Sequence, residues 1–453
     1  MIDIIFLSFI FLVPGLIISG LFKVQKTPYL TSSFSVFFWC FSSTFISINY
    51  LINSTLGNIF VVFCFAYWLI KLFDYKNLLF NFLLLFLFEF INNYYGILHI
   101  VSTHTITLSA ALENLEYSVS NINVPSVQIV FLKFFNHNYI LATLPQFVGF
   151  SLLIGNTINL IKAKNLPSYF TIGLVPIFSI FCVLLEVMTI RSHFLSSQIL
   201  CLILIETLIR KKLNINIYLF FVSMFIASRL ENLYFYYPLL FLILTKYLND
   251  NVKESDIKVW IKLAIATFLP ILINYHSLVG GSDIRSNIAF SLFLIVILNS
   301  LLYLRHTKFL KFFTDKFNLF FVLGILLLGV YMFILYDFKA VHSWLFLFTH
   351  FLDTHQGWVL TTIYFILLLV YKLAFSEKKI EQTIYLCILL TFLLIIVSSP
   401  LHHNWYGGEQ WSSGEIDGIA IYNFFDESQT RSFLQLFLSI FPIGISLLKP
   451  KKI

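Results

Sequence analysis

The sequence predicts a polytopic, all-α integral membrane protein. Three observations carry that expectation. Of 453 residues, 59% are hydrophobic and 11% charged, whereas a soluble domain carries about a quarter charged residues. Apolar stretches of ~18–22 residues recur, and about 20 are needed to cross the hydrocarbon core. Segments such as 82–88 and 322–330 are apolar on every face. Barrel strands would alternate with period two, and only helices and closed barrels satisfy the backbone inside lipid, so these segments read as helices.

The apolar pattern divides into about fifteen spans: 2–20, 31–52, 56–72, 78–98, 138–161, 168–190, 194–209, 214–230, 233–248, 258–275, 287–304, 318–336, 358–375, 382–399 and 432–448. The chain opens Met1-Ile2-Asp3 with no basic region or small-residue cleavage site, so its start reads as a first span rather than a removed signal peptide. Cys40, Cys64, Cys182, Cys201 and Cys387 all fall within the apolar stretches at spacings that match no metal motif. They read as small buried hydrophobes.

Lysine sets the orientation. With the N-terminus outside, the inner loops hold Lys23, Lys26, Lys76, Lys162, Lys164, Lys211, Lys212, Lys253, Lys308, Lys311, Lys316, Lys378 and Lys379, and the inner tail Lys449, Lys451 and Lys452. Lys133 and Lys339 are the exceptions. One span more or fewer would scatter these lysines over both faces. The net charge of +7 is therefore an orientation device. No basic stripe with interleaved aromatics appears in a soluble segment, so no nucleic-acid partner is expected. The Phe/Ile/Asn/Lys-rich composition suggests an AT-rich bacterial genome, and with it the inner membrane, with the C-terminus cytoplasmic.

Arginine is distributed the opposite way. Arg191, Arg229, Arg285 and Arg431 sit at the outer ends of spans; Arg210 and Arg305 are inner. A guanidinium offers a planar fork suited to phosphate or carboxylate. The plainer reading has each of them snorkel and pair with a nearby acid such as Glu186, Glu231, Asp283 or Glu427. Four together point to a shared anionic ligand.

Three outer loops are long. Loop 99–137 holds His99, His104, Glu113, Glu116 and His137, with an amphipathic stretch over 106–117 suited to lying in the interface. Loop 337–357 holds His342, His350, Asp353 and His355. Loop 400–431 holds His402, His403, Trp405, Tyr406, Glu409, Asp417, Asp426, Glu427 and Arg431. Aromatic and amide side chains beside carboxylates suit sugar recognition, and they equally make an ordinary interfacial belt. The spacing His350-x-x-Asp353-x-His355 fits no established metal motif, so no metal or other cofactor is expected. Glu89, mid-span before Asn92-Asn93, is an intramembrane charge of the kind that is costly and usually functional, or else a hydrogen-bonded structural carboxyl. Glu206 is four residues before Arg210, at helical pairing distance.

The middle of the chain resembles the membrane glycosyltransferases of the C superfamily, which use polyprenyl-phosphate-linked sugars. Four segments over 135–248 carry the likeness. Phe135-Asn136-His137-Asn138-Tyr139 precedes a span where that family often has a His-Pro-Pro-like segment. Thr189-Ile190-Arg191-Ser192-His193 is similar to its Arg-Ser or Arg-Ser-Asp segment. Arg210-Lys211-Lys212-Leu213 marks an inner turn. Ser228-Arg229-Leu230-Glu231-Asn232, followed by Tyr237-Pro238, looks like its Arg-Pro-Glu-Gly segment. Thr430-Arg431 before Phe441-Pro442 resembles its Arg-Tyr-Leu-Leu-Pro region. In one respect the chain departs from the pattern: loop 99–137 contains no Asp, where the family carries one, often followed by Glu.

The resemblance implies a three-part organisation: additional N-terminal helices over 1–77, a core module over 78–250 containing loop 99–137, and C-terminal helices over 251–453, with short interfacial helices in the outer loops. It implies an inverting transfer of sugar from the lipid phosphate to a glycan, lipid or protein acceptor in the cell envelope. Glu113, Glu116 or His104 is the expected base. Glu89, His137, Arg191, His193, Arg229, Glu231, Arg285, His402, His403 and Arg431 are the expected substrate-binding residues. Two other readings stay open. An O-antigen polymerase or ligase also has many spans and large outer loops with Arg and His. A lipid-linked saccharide flippase or other transporter should show related halves and midplane helix breaks; no such repeat is evident.

Overall fold

The computed structural model describes residues 13–22, 193–210, 214–228, 231–252, 256–277, 282–338, 340–341, 344–345, 370 and 379–398, with isolated positions between 31 and 66. Everything regular among them is helical. In chain order the helices are α1 (His193–Ile205), extended by a π-helical turn over Glu206–Arg210, α2 (Ile215–Ser228), α3 (Glu231–Asn251), α4 (Ile257–Ser277), α5 (Ser282–Tyr303), α6 (Lys308–Asp315), α7 (Phe317–Tyr336) and α8 (Lys379–Val397). Residues 13–21 form a further helical stretch.

Two of these, Phe317–Tyr336 and Ile380–Val397, are long and apolar enough to cross a membrane, and α5 joins that class if its bent pairing with α6 is one span. The 14 described residues of α2 account for about 21 Å at 1.5 Å each, against a hydrocarbon core of ~30 Å. Each of the seven spans expected between 194 and 336 and at 382–399 falls on a helix. Span 2–20 is helical from residue 13, and the remaining spans lie wholly or mostly outside the described residues.

Local contacts fix the helix directions. Lys262 Nζ donates to Asn216 Oδ1 (2.8 Å), so α2 and α4 begin side by side. The Trp260 and Tyr303 rings meet edge-on at 5.4 Å, joining the start of α4 to the end of α5. Tyr234 and Ser291 hydroxyls bond at 2.8 Å, joining the first turn of α3 to the middle of α5. Arg305 Nε donates to Asn249 Oδ1 (2.8 Å), where both helices end. Asn232 Nδ2 closes the short α2–α3 link on the Phe225 carbonyl (2.8 Å). Helices α1 to α5 therefore alternate in direction, with the Thr207–Tyr218 bond (2.7 Å) joining the end of α1 and its π-helical turn to the start of α2. Every described lysine side chain, at 246, 258, 262, 308, 311 and 316, falls at one end of the set.

Aromatic packing fills the core around α2. Phe34 stacks on Phe221 (5.8 Å), and Phe225 meets Tyr236 edge-on (5.6 Å). The 13–21 stretch approaches position 31 so closely that a Cβ at Gly15 would run into the Thr31 carbonyl and the Ser35 hydroxyl. The Gly15 N–H instead donates to Ser35 Oγ (2.9 Å). Small residues permit such close backbone approach between apolar helices. Cys201 and Cys387 are free and fully buried, as expected of small hydrophobes.

By contrast α7 buries only 11% of its apolar window, against 50% for α8. Leu327 and Ile334 are 70% and 73% exposed. In water such a face would be a large aggregation liability; in lipid it is an ordinary boundary.

One expectation fails. The inner loop read at 305–317 contains a helix, α6, set at 109° to the preceding segment of α5. Thr307 starts it: its backbone is extended and its hydroxyl accepts from the Leu310 N–H. Thr at this position satisfies one of the four orphan donors of a helix start.

Candidate functional site

Three of the expected substrate-binding residues lie on described helices. His193 is the first residue of α1, Glu231 the first of α3, and Arg285 lies in the first turn of α5. These helices begin at the same end, opposite the lysines. Alternation alone places every second helix start at one end, so the juxtaposition follows from the topology. What the sequence adds is arginine: Arg191 and Arg229 each stand two residues before a helix start at this end.

Arg191 and Arg229 themselves lie outside the described residues. So do His104, Glu113, Glu116, Glu89, His137, His402, His403 and Arg431, together with Glu186 and the trio His350, Asp353 and His355. The long loops 99–137 and 400–431 lie wholly outside them as well. In loop 337–357, the described residues 338, 340, 341, 344 and 345 are helical. Trp344 Nε1 donates to the Val397 carbonyl at the end of α8 (3.2 Å).

The best-defined polar cluster is at the other end, where the sequence pointed least. Lys246, in the penultimate turn of α3, is 2% exposed and bonds Asp250 at 2.8 Å and Glu381 of α8 at 3.5 Å. An ammonium taken out of water needs such partners, because desolvation costs several kcal/mol per ion. Beside it Tyr218 and Tyr247 stack with centroids 3.5 Å apart. The Tyr218 hydroxyl bonds Thr207 (2.7 Å) in the π-helical turn. Glu206, which opens that turn, is 5% exposed. The helix therefore changes hydrogen-bond pattern just where the expected Glu206–Arg210 pair lies. The Lys246–Asp250 pair was legible in the sequence as an (i, i+4) spacing. Glu381 was not, because nothing local ties it to α3.

A second cationic anchor lies close by. The Arg305 guanidinium sits 5.0 Å from the Trp260 ring centre. Its Nη1 donates to the Leu302 carbonyl (3.3 Å), in addition to the bond to Asn249. Planar guanidinium over indole is a favoured stacking arrangement. Both anchors tie helices together.

Among the described residues no three His, Cys, Asp or Glu side chains are grouped as ligands of a metal ion would be. No family model matches the chain, and neither a curated protein nor a solved structure resembles it.

Proposed function

We propose that this chain is a membrane glycosyltransferase working on the face opposite its lysine-rich end. It would use a polyprenyl-phosphate-linked sugar and a cell-envelope acceptor, within a bundle of about fifteen spans in a bacterial plasma membrane. One observation carries the reading most directly. The segments resembling the glycosyltransferase pattern, around Arg191-Ser192-His193 and Arg229-Leu230-Glu231, run into helices that begin at a common end. The described lysine side chains occupy the other end, which the positive-inside rule assigns to the cytoplasm.

The chemistry is a single displacement. The acceptor hydroxyl oxygen attacks the anomeric carbon, the bond from that carbon to the phosphate oxygen breaks, and the polyprenyl phosphate leaves. The hydroxyl proton passes to Glu113, Glu116 or His104, since a sugar hydroxyl is a poor nucleophile while it keeps its proton. Arg191, Arg229 and Arg285 offset the charge on the departing phosphate, where electrostatic stabilisation contributes most. Glu113 and Glu116 are three apart in sequence, so a helical turn there would put both on one face. The imidazole of a histidine ordinarily has its pKa nearer neutrality than a carboxylate does, which suits His104 to the same role.

Two measurements test this. Alkaline phosphatase fused after residue 120 or 415 is expected to be active, and fused after residue 451 inactive; an active tail fusion overturns the orientation. Product formation in membranes at equal protein level should fall roughly 10²- to 10⁴-fold in at least one of Glu113→Gln, Glu116→Gln and His104→Ala, the range typical of a general base. Near wild-type rates in all three remove the base from loop 99–137 and the mechanism with it.

A further inference from the structure

The helix that breaks the inner loop has a face that the protein itself only half covers. In α6, Leu310 is buried at 2% exposure, while Phe309 and Phe312 are 72% and 57% exposed. Phe313 stacks on Phe320 of α7 (5.2 Å) and meets Phe317 edge-on (5.7 Å). At 100° per residue these four apolar side chains form one continuous arc. Leu310 and Phe313 hold its inner half on the protein, and Phe309 and Phe312 continue it outward. Lys308, Lys311, Thr314 and Asp315 make the opposite arc, and Lys316 follows at the end.

The helix is held at this attitude from both sides. Upstream, Arg305 is fixed to Asn249 and to the Trp260 face. Downstream, the Lys316 N–H bonds the Phe312 and Thr314 carbonyls, and α7 starts at the next residue. With α5 set along the bilayer normal, the angle of 109° lays α6 nearly parallel to the membrane surface.

We infer that α6 is a docking surface for anionic phospholipid headgroups of the surrounding bilayer. Phe309 and Phe312 enter the boundary between headgroups and acyl chains, while Lys308, Lys311 and Lys316 meet the phosphates. The charge argues for lipid as the occupant. Three lysines against one acid give a positive rim beside exposed phenylalanines, the pattern of interfacial helices that bind anionic membranes. Continuity argues the same way: the exposed apolar face runs on from α6 into Leu319, Leu323 and Leu326 of α7. This surface lies at the opposite end from the proposed transfer chemistry and does not depend on it.

The test uses the full-length protein in nanodiscs, with a bimane fluorophore on Phe309→Cys. Quenching is compared between phosphatidylglycerol and phosphatidylcholine carrying the same nitroxide acyl chain. A second probe, on Tyr331→Cys of α7, reports bilayer contact away from the lysines. The expected result at position 309 is stronger quenching by phosphatidylglycerol. At roughly 1 kcal/mol per lysine near an anionic surface, the local enrichment is about fivefold or more. It should fall with added salt, and towards equality in K308Q/K311Q/K316Q, while the Tyr331→Cys probe is quenched alike by both lipids throughout. Equal quenching by the two lipids in the unmodified rim overturns the anionic preference. Absence of quenching by either at position 309, with normal quenching at 331, means that protein rather than lipid covers the helix, which also overturns the inference.

Discussion

Lys246→Met is expected to cost about 3 kcal/mol of stability, enough to deplete the protein from membranes. The methionine fills similar space, so the loss comes from the two carboxylates left behind. Asp250 and Glu381, at 35% and 19% side-chain exposure, keep their charge partly out of water with no ammonium between them. Breaking one side of a buried pair typically costs 3–5 kcal/mol, whereas replacing all members together is often neutral. Native stabilities are only about 5–15 kcal/mol. The triple variant Lys246→Met, Asp250→Asn, Glu381→Gln should therefore regain most of the loss. Unfolding midpoints of the purified proteins in detergent measure both. A single variant as stable as wild type would show that the ammonium does not bind α3 to α8.

The second large effect belongs to the proposed chemistry. Arg191→Lys and Arg229→Lys should each lower sugar transfer on the order of 10²- to 10³-fold, with the protein accumulating normally. Removal of one preorganised donor from a developing oxyanion has that magnitude. Lysine keeps the charge but loses the two parallel N–H bonds that a guanidinium presents to phosphate. The assay is product formation in membranes at equal protein level. Full activity in both variants leaves these arginines with only an interfacial, snorkelling part to play.

Where the signal was a long apolar run, the sequence was readable to within a few residues. Spans expected at 214–230, 258–275 and 318–336 are Ile215–Ser228, Ile257–Ser277 and Phe317–Tyr336. The largest slip is at α5, expected from 287 but starting at Ser282. Ser282, Asp283 and Arg285 look like loop by polarity, yet they are helical. Helix α6 was hidden for a related reason. Lys308, Lys311 and Lys316 mark an inner connection, and that use of them obscured the apolar arc of Phe309, Leu310, Phe312 and Phe313. The elbow itself was out of reach, since it depends on Arg305 meeting Asn249, which lies in another helix. Arg191, Arg229 and Arg285 stand out in the sequence as a group because arginine is scarce and only Lys133 and Lys339 are expected on the outer face; of the three, only Arg285 lies on a described helix. Which of the acids face them is a matter of loop placement, and periodicity does not encode loop placement.

The pairing of Lys246 also has an order in time. A chain made at 5–20 residues per second delivers α8 on the order of ten seconds after α3. Throughout that interval a lysine near the end of an apolar helix needs an anion, and Glu381 has not yet been synthesised. Asp250 supplies one from the same helix, four residues on and 2.8 Å away. The local carboxylate thus acts as a placeholder that makes α3 admissible to the bilayer early. The distant one converts a tolerated charge into a latch when the last described helix arrives.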